Sequence, residues 1–211
     1  MFAKEGYPFI LTALIAFVLI FVLPKGLVVI LSLVLLALFL WFFRDPERDI
    51  PPFDDIAVSA ADGKVIDIET TEFEGKTYNK VSVFMNLFNV HVNRMPVAGT
   101  ITGIRHKEGS FVPADRPEAG DRNEQNVIYV NTQYGDMVVK QIAGLVARRT
   151  VCYWEKGDKV CFGDRLGIIK FSSRVDLYLP TSFDVLVSLG DQVKAGETII
   201  AKHNEKLAKR N

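Results

Sequence analysis

The strongest constraint on this chain is an apolar stretch near its N-terminus. Lys25 is the only charged residue between Pro8 and Phe43. One straight helix of that length would measure roughly 54 Å, whereas the hydrocarbon core of a bilayer is about 30 Å thick. The segment Pro24-Lys25-Gly26 contains two helix breakers and divides the stretch into two similar runs. The pattern therefore predicts an N-terminal transmembrane helical hairpin, with short helices at about 8–23 and 27–43.

Two other interpretations of the apolar stretch stay open. A signal peptide would need a small-residue cleavage site before the second run, and the sequence offers none there. A hairpin could instead dip into one leaflet without crossing the bilayer. Basic residues flank both outer ends of the stretch, which favours both termini in the cytoplasm. We therefore expect the protein at the cell membrane, with its second domain in the cytoplasm.

The composition becomes mixed after Arg44, and this change predicts the domain organisation. Residues 1–44 form the membrane anchor, residues 45–52 a linker with three prolines, and residues 53–211 a second domain. Short runs rich in β-branched and aromatic residues recur through that domain, and no window has a long helical period. Residues 109–123 contain two prolines, two glycines and several charges, which predicts a loop. The fold class is therefore mainly β.

A weak internal repeat sharpens the fold prediction. Residues 157–164 (the first repeat) and 190–197 (the second repeat) share the pattern Gly-Asp-x-Val-x-x-Gly-acid. Each copy is typical of a turn between strands, and the pattern resembles that of lipoyl and biotinyl carrier domains. The resemblance implies a compact β-sandwich or barrel-sandwich hybrid. It also leaves open a membrane-anchored adaptor of that type, without catalysis.

The charge balance and the cysteines exclude several functional classes. Lysine plus arginine and aspartate plus glutamate each total 25, so the chain lacks the basic excess of nucleic-acid-binding proteins, and no nucleic-acid partner is expected. Cys152 and Cys161 fall outside any Cys or His spacing typical of a metal site, so we expect no metal. We interpret both as reduced structural residues, with a disulfide as the alternative.

A serine pair lies between two strand-like runs near the C-terminus. Ser172 and Ser173 separate 167–171 from 175–179, and small polar residues commonly make such connections. Asp62 precedes a strand-like run and His91 follows one. These residues alone permit a serine hydrolase triad of Asp62, His91 and Ser173, although no Gly-x-Ser-x-Gly turn surrounds the serine.

Several blocks in one order along the chain resemble the short bacterial and archaeal form of the phosphatidylserine decarboxylase family. The segment after the serine pair reads Arg-x-Asp-x-Tyr-Leu-Pro, which resembles the self-processing site of that family. The other matching blocks are Phe42-Phe43-Arg44-Asp45-Pro46, Ala61-Asp62-Gly63-Lys64-Val65, Asn89-Val90-His91-Val92-Asn93-Arg94-Met95-Pro96 and Ala143-Gly144-Leu145-Val146-Ala147-Arg148-Arg149. Coincidence of several blocks in register is improbable.

The resemblance implies self-cleavage between Ser172 and Ser173. In that scheme His91, oriented by Asp62, is the base that deprotonates Ser173, and position 173 becomes a covalent pyruvoyl group, so that no external cofactor and no metal is needed. The pyruvoyl carbonyl would form a Schiff base with phosphatidylserine, and His91 would return a proton after carbon dioxide leaves. The product would be phosphatidylethanolamine.

The resemblance also implies binding partners. Arg148 and Arg149 are candidates for binding the phosphate of an anionic phospholipid, because a guanidinium group can bind phosphate with two hydrogen bonds. The α and β chains of one precursor would stay associated, and a homo-oligomer remains open. The family has glycine before the processed serine, whereas this chain has Ser172. An unprocessed, inactive precursor is therefore an alternative.

Overall fold

The computed structural model of the chain describes residues 2–21, 26–144, 149–170 and 173–205. By its internal contacts the chain divides into two compact units, Met1–Glu47 and Arg48–Asn211.

The first unit is a pair of helices. A short 3-10 helix (Lys4–Gly6) precedes α1 (Tyr7–Phe21) and α2 (Gly26–Phe42). The helices pack through aromatic rings, with the Phe9 ring centroid 5.8 Å from that of Phe39. Within the described parts of the chain, no helix combines the length and the apolar character that a membrane crossing requires. The transmembrane character predicted for this hairpin is therefore not supported.

The regular secondary structure described in the second unit is nearly all β-strand, and the prediction of a mainly β fold is confirmed. One four-residue helix, α3 (Ala119–Arg122), lies within the predicted loop at 109–123. The strands found in the described residues are β1 (Ile56–Val58), β2 (Gly63–Phe73), β3 (Lys76–Met85), β4 (Val92–Arg94), β5 (Gly99–Lys107), β6 (Gln125–Thr132), β7 (Gly135–Ala143), β8 (Thr150–Cys152), β9 (Lys159–Val160), β10 (Arg165–Ile169), β11 (Ser173–Pro180), β12 (Phe183–Val185), β13 (Gln192–Val193) and β14 (Ile199–His203).

Three sheets surround a common core. The large sheet has eight strands in the order β13-β2-β3-β11-β7-β6-β5-β9, and the two small sheets have the orders β1-β14-β12 and β4-β10-β8. All described strand pairs are antiparallel. One face of the large sheet, here called the inner face, supplies Val83, Ile128 and Leu177 to a core that also takes Leu166 and Ile200 from the small sheets. The opposite face is the outer face.

Local chemistry explains the long hairpin of β2 and β3. Their connection is Glu74-Gly75, and both residues have positive φ, at 51° and 78°. A tight two-residue hairpin requires this left-handed backbone, which glycine adopts at little cost. The strands on either side carry alternating polar and apolar residues, as expected where one face is buried.

The two sequence repeats adopt the same local structure. In the first repeat the Asp158 carboxylate accepts a hydrogen bond from the backbone N–H of Glu155, and in the second Asp191 accepts one from Ser188, both at 2.8 Å. Each repeat begins with a glycine of positive φ, has a second such glycine at its seventh position, and encloses a two-residue strand, β9 or β13. The shared pattern in the sequence thus reflects a shared turn structure.

Candidate active site

Ser173 is the first residue of β11, in the middle of the large sheet. It lies between Met85 at the end of β3 and Ala143 at the end of β7. Its side chain is fully buried, and its Oγ has no hydrogen-bond partner among the described residues. A buried hydroxyl without a partner is costly, so each one needs a physical explanation. Ser172 lies outside the described residues.

The pleat of β11 determines which side chains share a face with Ser173. Val175 and Leu177 belong to the core, so Ser173 lies on the same inner face. The strand begins two residues earlier than the sequence predicts. Arg174 and Asp176 interrupt the apolar pattern of the sequence, yet both are buried on the outer face.

His91 precedes β4 and is fully buried. Its Nδ1 lies 3.0 Å from the carbonyl oxygen of Asn89. Because a carbonyl oxygen only accepts hydrogen bonds, Nδ1 carries the proton, and the basic lone pair of the neutral ring is on Nε2. The Asn89 side chain closes the preceding turn by accepting a hydrogen bond from the backbone N–H of Asn86 at 2.9 Å. This turn therefore fixes both the position and the tautomer of His91.

Backbone and side-chain contacts bring the His91 segment to the end of the sheet that carries Ser173. The carbonyl of His91 accepts a hydrogen bond from the N–H of Ile169, four residues before Ser173. Asn93, two residues after His91, directs its amide nitrogen towards the sulfur of Met85 at 3.7 Å. Met85 is the cross-strand neighbour of Ser173. The predicted base and nucleophile thus belong to adjoining segments.

Asp62 lies just before β2 and is bound by two other groups. Its Oδ1 accepts hydrogen bonds from Nη2 of Arg48 at 2.9 Å and from the backbone N–H of Ala195 at 2.8 Å. Arg48 also lies 3.5 Å from Glu197 of the second repeat. These contacts fix the Asp62 carboxylate, and its predicted role in orienting His91 stays a prediction.

The outer face behind Ser173 carries a buried charge cluster. Arg174 and Asp176 form an ion pair, with a hydrogen bond of 2.9 Å from Nη2 to Oδ2 and an ion contact of 2.8 Å between Nε and Oδ1 that lacks hydrogen-bond geometry. Lys140 lies opposite Asp176 on β7. Burial lowers the pKa of Lys140, although Asp176 and Asp121 act in the opposite direction. The three side chains offset one another's charge in part.

The segment 110–124 covers this cluster. Arg174 donates to the carbonyl of Arg116 at 3.2 Å, and Nζ of Lys140 donates to the carbonyl of Gly120 at 2.9 Å. At the end of the segment, the amide of Asn123 donates to the carbonyl of Ala143 at 2.7 Å. Ala143 is the second cross-strand neighbour of Ser173. The predicted loop is therefore an ordered cover that supports the strands around Ser173.

The two arginines predicted to bind phosphate can be followed only in part. Arg148 lies outside the described residues. Arg149 is exposed, and its carbonyl accepts a hydrogen bond from the N–H of Lys170 at 3.3 Å. Arg149 therefore lies beside the strand end that leads into the serine pair.

Sequence reasoning missed Arg48 and the Arg174–Asp176 pair. Arg48 falls in the predicted linker, and no local pattern there reveals a contact with Asp62. Arg174 and Asp176 did carry a signal. Two charges at alternate positions of an otherwise apolar strand indicate a covered outer face with paired charges.

The site combines a buried hydroxyl with a buried imidazole of defined tautomer, inside an antiparallel β domain. A serine with a histidine on an adjoining segment is the arrangement expected of proteins that use an activated serine. The family comparison is more specific, since the sequence model described as phosphatidylserine decarboxylase matches residues 35–201. The chain belongs to the phosphatidylserine decarboxylase family.

Two curated relatives span nearly the whole chain. The chain is 43% identical over 204 residues to the phosphatidylserine decarboxylase proenzyme of Syntrophus aciditrophicus, covering 93% of this chain and 94% of that protein. It is also 43% identical over 205 residues to the phosphatidylserine decarboxylase proenzyme of Desulfotalea psychrophila, covering 95% of each chain. The family resemblance inferred from the sequence blocks is therefore confirmed.

Proposed function

We propose that this chain cleaves itself between Ser172 and Ser173 and then decarboxylates phosphatidylserine to phosphatidylethanolamine. The observation that carries this proposal is the buried Ser173 hydroxyl, which has no hydrogen-bond partner among the described residues. It stands at the start of a central strand, beside the segment that holds His91. Membership of the phosphatidylserine decarboxylase family supports the decarboxylation.

The proposed maturation uses groups of the chain itself. Ser173 Oγ transfers its proton to Nε2 of His91 and attacks the carbonyl carbon of residue 172. The new C–O bond replaces the C–N bond, and the nitrogen of residue 173 takes up a proton to become an amine. The resulting ester then undergoes elimination: the α-proton of residue 173 is removed and the bond between its Cβ and the ester oxygen breaks. The leaving carboxylate becomes the C-terminus of the chain that ends at residue 172, so the two chains separate. Hydrolysis then releases ammonia and leaves a pyruvoyl group at position 173.

The surroundings of Ser173 fit a pyruvoyl group. Met85 and Ala143 enclose position 173 with apolar side chains, and both are fully buried. An enclosed position excludes water, which protects a reactive carbonyl from side reactions. When present, the pyruvoyl group supplies an electrophilic carbonyl that can accept the electrons released with carbon dioxide.

His91 and Arg149 have separate roles in the proposed second reaction. When His91 is protonated on Nε2, it can deliver that proton to the substrate carbon. The contact of Nδ1 with the carbonyl of Asn89 keeps the ring in place. Arg149, together with Arg148, binds the phosphate of the lipid headgroup. Asp62 maintains the local geometry together with Arg48.

We also propose that the helical hairpin keeps the protein on a membrane. The helices expose large apolar side chains, among them Leu11, Ile15, Ile30 and Leu31. Exposed apolar side chains of this kind favour lipid contact. Full-length protein should co-sediment with phospholipid vesicles, and Ile30→Asp with Leu31→Asp should weaken the binding. Unchanged binding of that double variant would contradict the proposal.

Intact mass of the purified protein tests the catalytic proposal. The wild type should give two fragments that meet between residues 172 and 173, and the fragment beginning at 173 should have the mass of a pyruvoyl terminus. Ser173→Ala should stay whole and lose decarboxylation. Ser82→Ala is the matched control, because Ser82 is also fully buried and its Oγ also lacks a described partner.

The wild type and Ser172→Gly together separate the alternatives. A whole wild-type chain that splits after Ser172→Gly would identify an inactive precursor. If both stay whole, the proposed function is wrong, and an adaptor related to carrier domains becomes the better interpretation.

A further inference from the structure

Hydrogen-bonded side chains run from the edge of the large sheet to the neighbourhood of Ser173. Nδ1 of His106 lies 2.8 Å from Oδ1 of Asn126. Nδ2 of Asn126 donates to Oε1 of Gln141 at 3.3 Å, and Nε2 of Gln141 donates to Oδ1 of Asn93 at 2.9 Å. Nδ2 of Asn93 then approaches Sδ of Met85 at 3.7 Å. We call these four residues, His106, Asn126, Gln141 and Asn93, the amide chain.

The amide chain occupies positions where the core would otherwise be apolar. Gln141 is paired with Val175 across the inner face, and both Gln141 and Asn93 are fully buried. Burying amides costs stability unless every polar atom has a partner. Within the amide chain, Asn126, Gln141 and Asn93 are buried. The amide chain ends at Met85, the cross-strand neighbour of Ser173. Such a departure from apolar packing is expected where a site has to be oriented.

The direction of the amide chain follows from its last contact. A thioether sulfur has no hydrogen to donate and is a weak acceptor, so Asn93 must present its N–H group to Met85. Oδ1 of Asn93 then faces Gln141 and accepts from its Nε2. In the same way, Oε1 of Gln141 accepts from Nδ2 of Asn126, so Oδ1 of Asn126 faces His106. Nδ1 of His106 must therefore be the donor in that contact. Every donor in the amide chain therefore points towards Met85.

The end of the amide chain is poorly matched. Among the described residues, the Nδ2 group of Asn93 has only the Met85 sulfur as a partner, and 3.7 Å is a weak contact. Met85 lies directly beside Ser173, whose Oγ also lacks a described partner. An underused donor and a reactive oxygen thus flank the same methionine. Donors fixed in advance next to a reacting oxygen are an effective means of stabilising developing negative charge.

We infer that Asn93 donates a hydrogen bond to the oxygen that becomes negative when Ser173 reacts. Gln141, Asn126 and His106 are positioning residues that keep the Asn93 amide in its donating orientation. This inference rests on the proposed function, because it assigns a role in self-cleavage.

The experiment follows the rate of self-cleavage after a short pulse of synthesis of the full chain. Asn93→Ala should slow cleavage by roughly 100-fold, as does removal of one donor in comparable sites. Asn79→Ala is the matched control, because Asn79 is a partly buried amide that bonds to the carbonyl of Phe183 at 2.9 Å. Its cleavage rate should equal that of the wild type. Thermal unfolding of each variant combined with Ser173→Ala compares stability in the uncleaved state.

Gln141→Glu tests the positioning role. A glutamate at 141 still accepts from Asn126 but cannot donate to Asn93, so the Asn93 amide loses the bond that sets its direction. Cleavage should slow by up to about 100-fold, the cost of a misplaced group in an enzyme site. In an Asn93→Ala background the same change should have no further effect, because residues acting through one another are not additive.

Each outcome decides a different point. If the wild type cleaves itself and Asn93→Ala cleaves at the same rate, the inference is overturned and the proposed function stays intact. Additive effects of Gln141→Glu and Asn93→Ala, or slowing that only follows the loss of stability, would also overturn it. A wild type that stays whole would overturn the proposed function and the donor role with it.

Discussion

The two faces of strand β11 bury polar groups in different ways. On the outer face, Arg174 and Asp176 pair with each other, and Arg174 also bonds to the carbonyl of Arg116. On the inner face, the Ser173 hydroxyl has no described partner, and the Nδ2 group of nearby Asn93 has only the Met85 sulfur as a described partner. Consecutive residues of one strand therefore belong to two differently organised environments.

This difference separates support from chemistry. A buried ion pair that offsets its own charges holds neighbouring segments in place and has little capacity left for a ligand. Unused donors and acceptors cost stability, and those beside Ser173 lie where the proposed reaction takes place. We therefore expect changes on the inner side to affect the rate of cleavage. Changes on the outer face should affect mainly the stability of the domain.

The largest expected effect concerns His91 on the inner side. His91→Ala should slow self-cleavage by about 10²- to 10⁴-fold, the usual contribution of a general base. The measurement is the fraction of cleaved chain over time on a denaturing gel. His203→Ala is the control, since His203 packs against Tyr134 with ring centroids 4.5 Å apart and has no proposed role. Normal cleavage of His91→Ala would remove His91 from maturation.

The next effect concerns the outer-face ion pair. Asp176→Ala leaves Arg174 buried without its carboxylate and should lower the free energy of unfolding by roughly 3–5 kcal/mol. Arg174→Met combined with Asp176→Leu should recover most of that loss, because the ion pair is removed as a whole and Lys140, the remaining buried charge of the cluster, still donates to the carbonyl of Gly120. Urea denaturation in the Ser173→Ala background measures both. If the paired apolar variant is as unstable as Asp176→Ala, the pair does more than offset charge.

The fold was more predictable from the sequence than the site. Alternating apolar residues identify long strands such as β3 and β6, because one face of each is buried. The contact of Arg48 with Asp62 and that of Gln141 with Asn93 join residues far apart in the chain, so no local pattern reveals them. The start of β11 was predicted too late because the charge of Arg174 interrupts the apolar pattern, and the segment that covers this charge is distant in the chain. Family resemblance, and not periodicity, identified His91 and Ser173.

A smaller effect is expected at Gly120, where the covering segment approaches Arg174. A Cβ on Gly120 would lie 2.5 Å from Nη2 of Arg174. That guanidinium is held by Asp176 and Arg116, so it has little freedom to move aside. Gly120→Ala should therefore cost about 1–3 kcal/mol of unfolding free energy, as overpacking commonly does. Gly26→Ala is a suitable control, since no atom of the described residues lies within 4 Å of its added Cβ. Equal stability of both variants would show that the cover yields easily.

The smallest effect is a pH dependence carried by Lys140. Its pKa in the folded protein is lowered from 10.5, first of all by burial. Between the lowered pKa and 10.5 the unfolded chain binds more protons at this position than the folded chain, so stability rises with pH across that window. Lys140→Met removes the titrating group. The unfolding free energy of the wild type minus that of Lys140→Met should therefore increase as the pH rises towards 10.5.

Subtracting the variant from the wild type isolates Lys140 from the tyrosines on the same face. Burial raises the pKa of Tyr178 and of Tyr129, so both titrate differently in the folded and unfolded chains at high pH. Those contributions are common to the wild type and the variant and cancel in the difference. The same subtraction for exposed Lys156→Met supplies the baseline. A difference that falls with pH would mean that Asp176 and Asp121 outweigh burial in setting the pKa of Lys140, and a flat difference would mean that they cancel it. In either case the two carboxylates would stabilise the charged Lys140 at least as strongly as burial destabilises it.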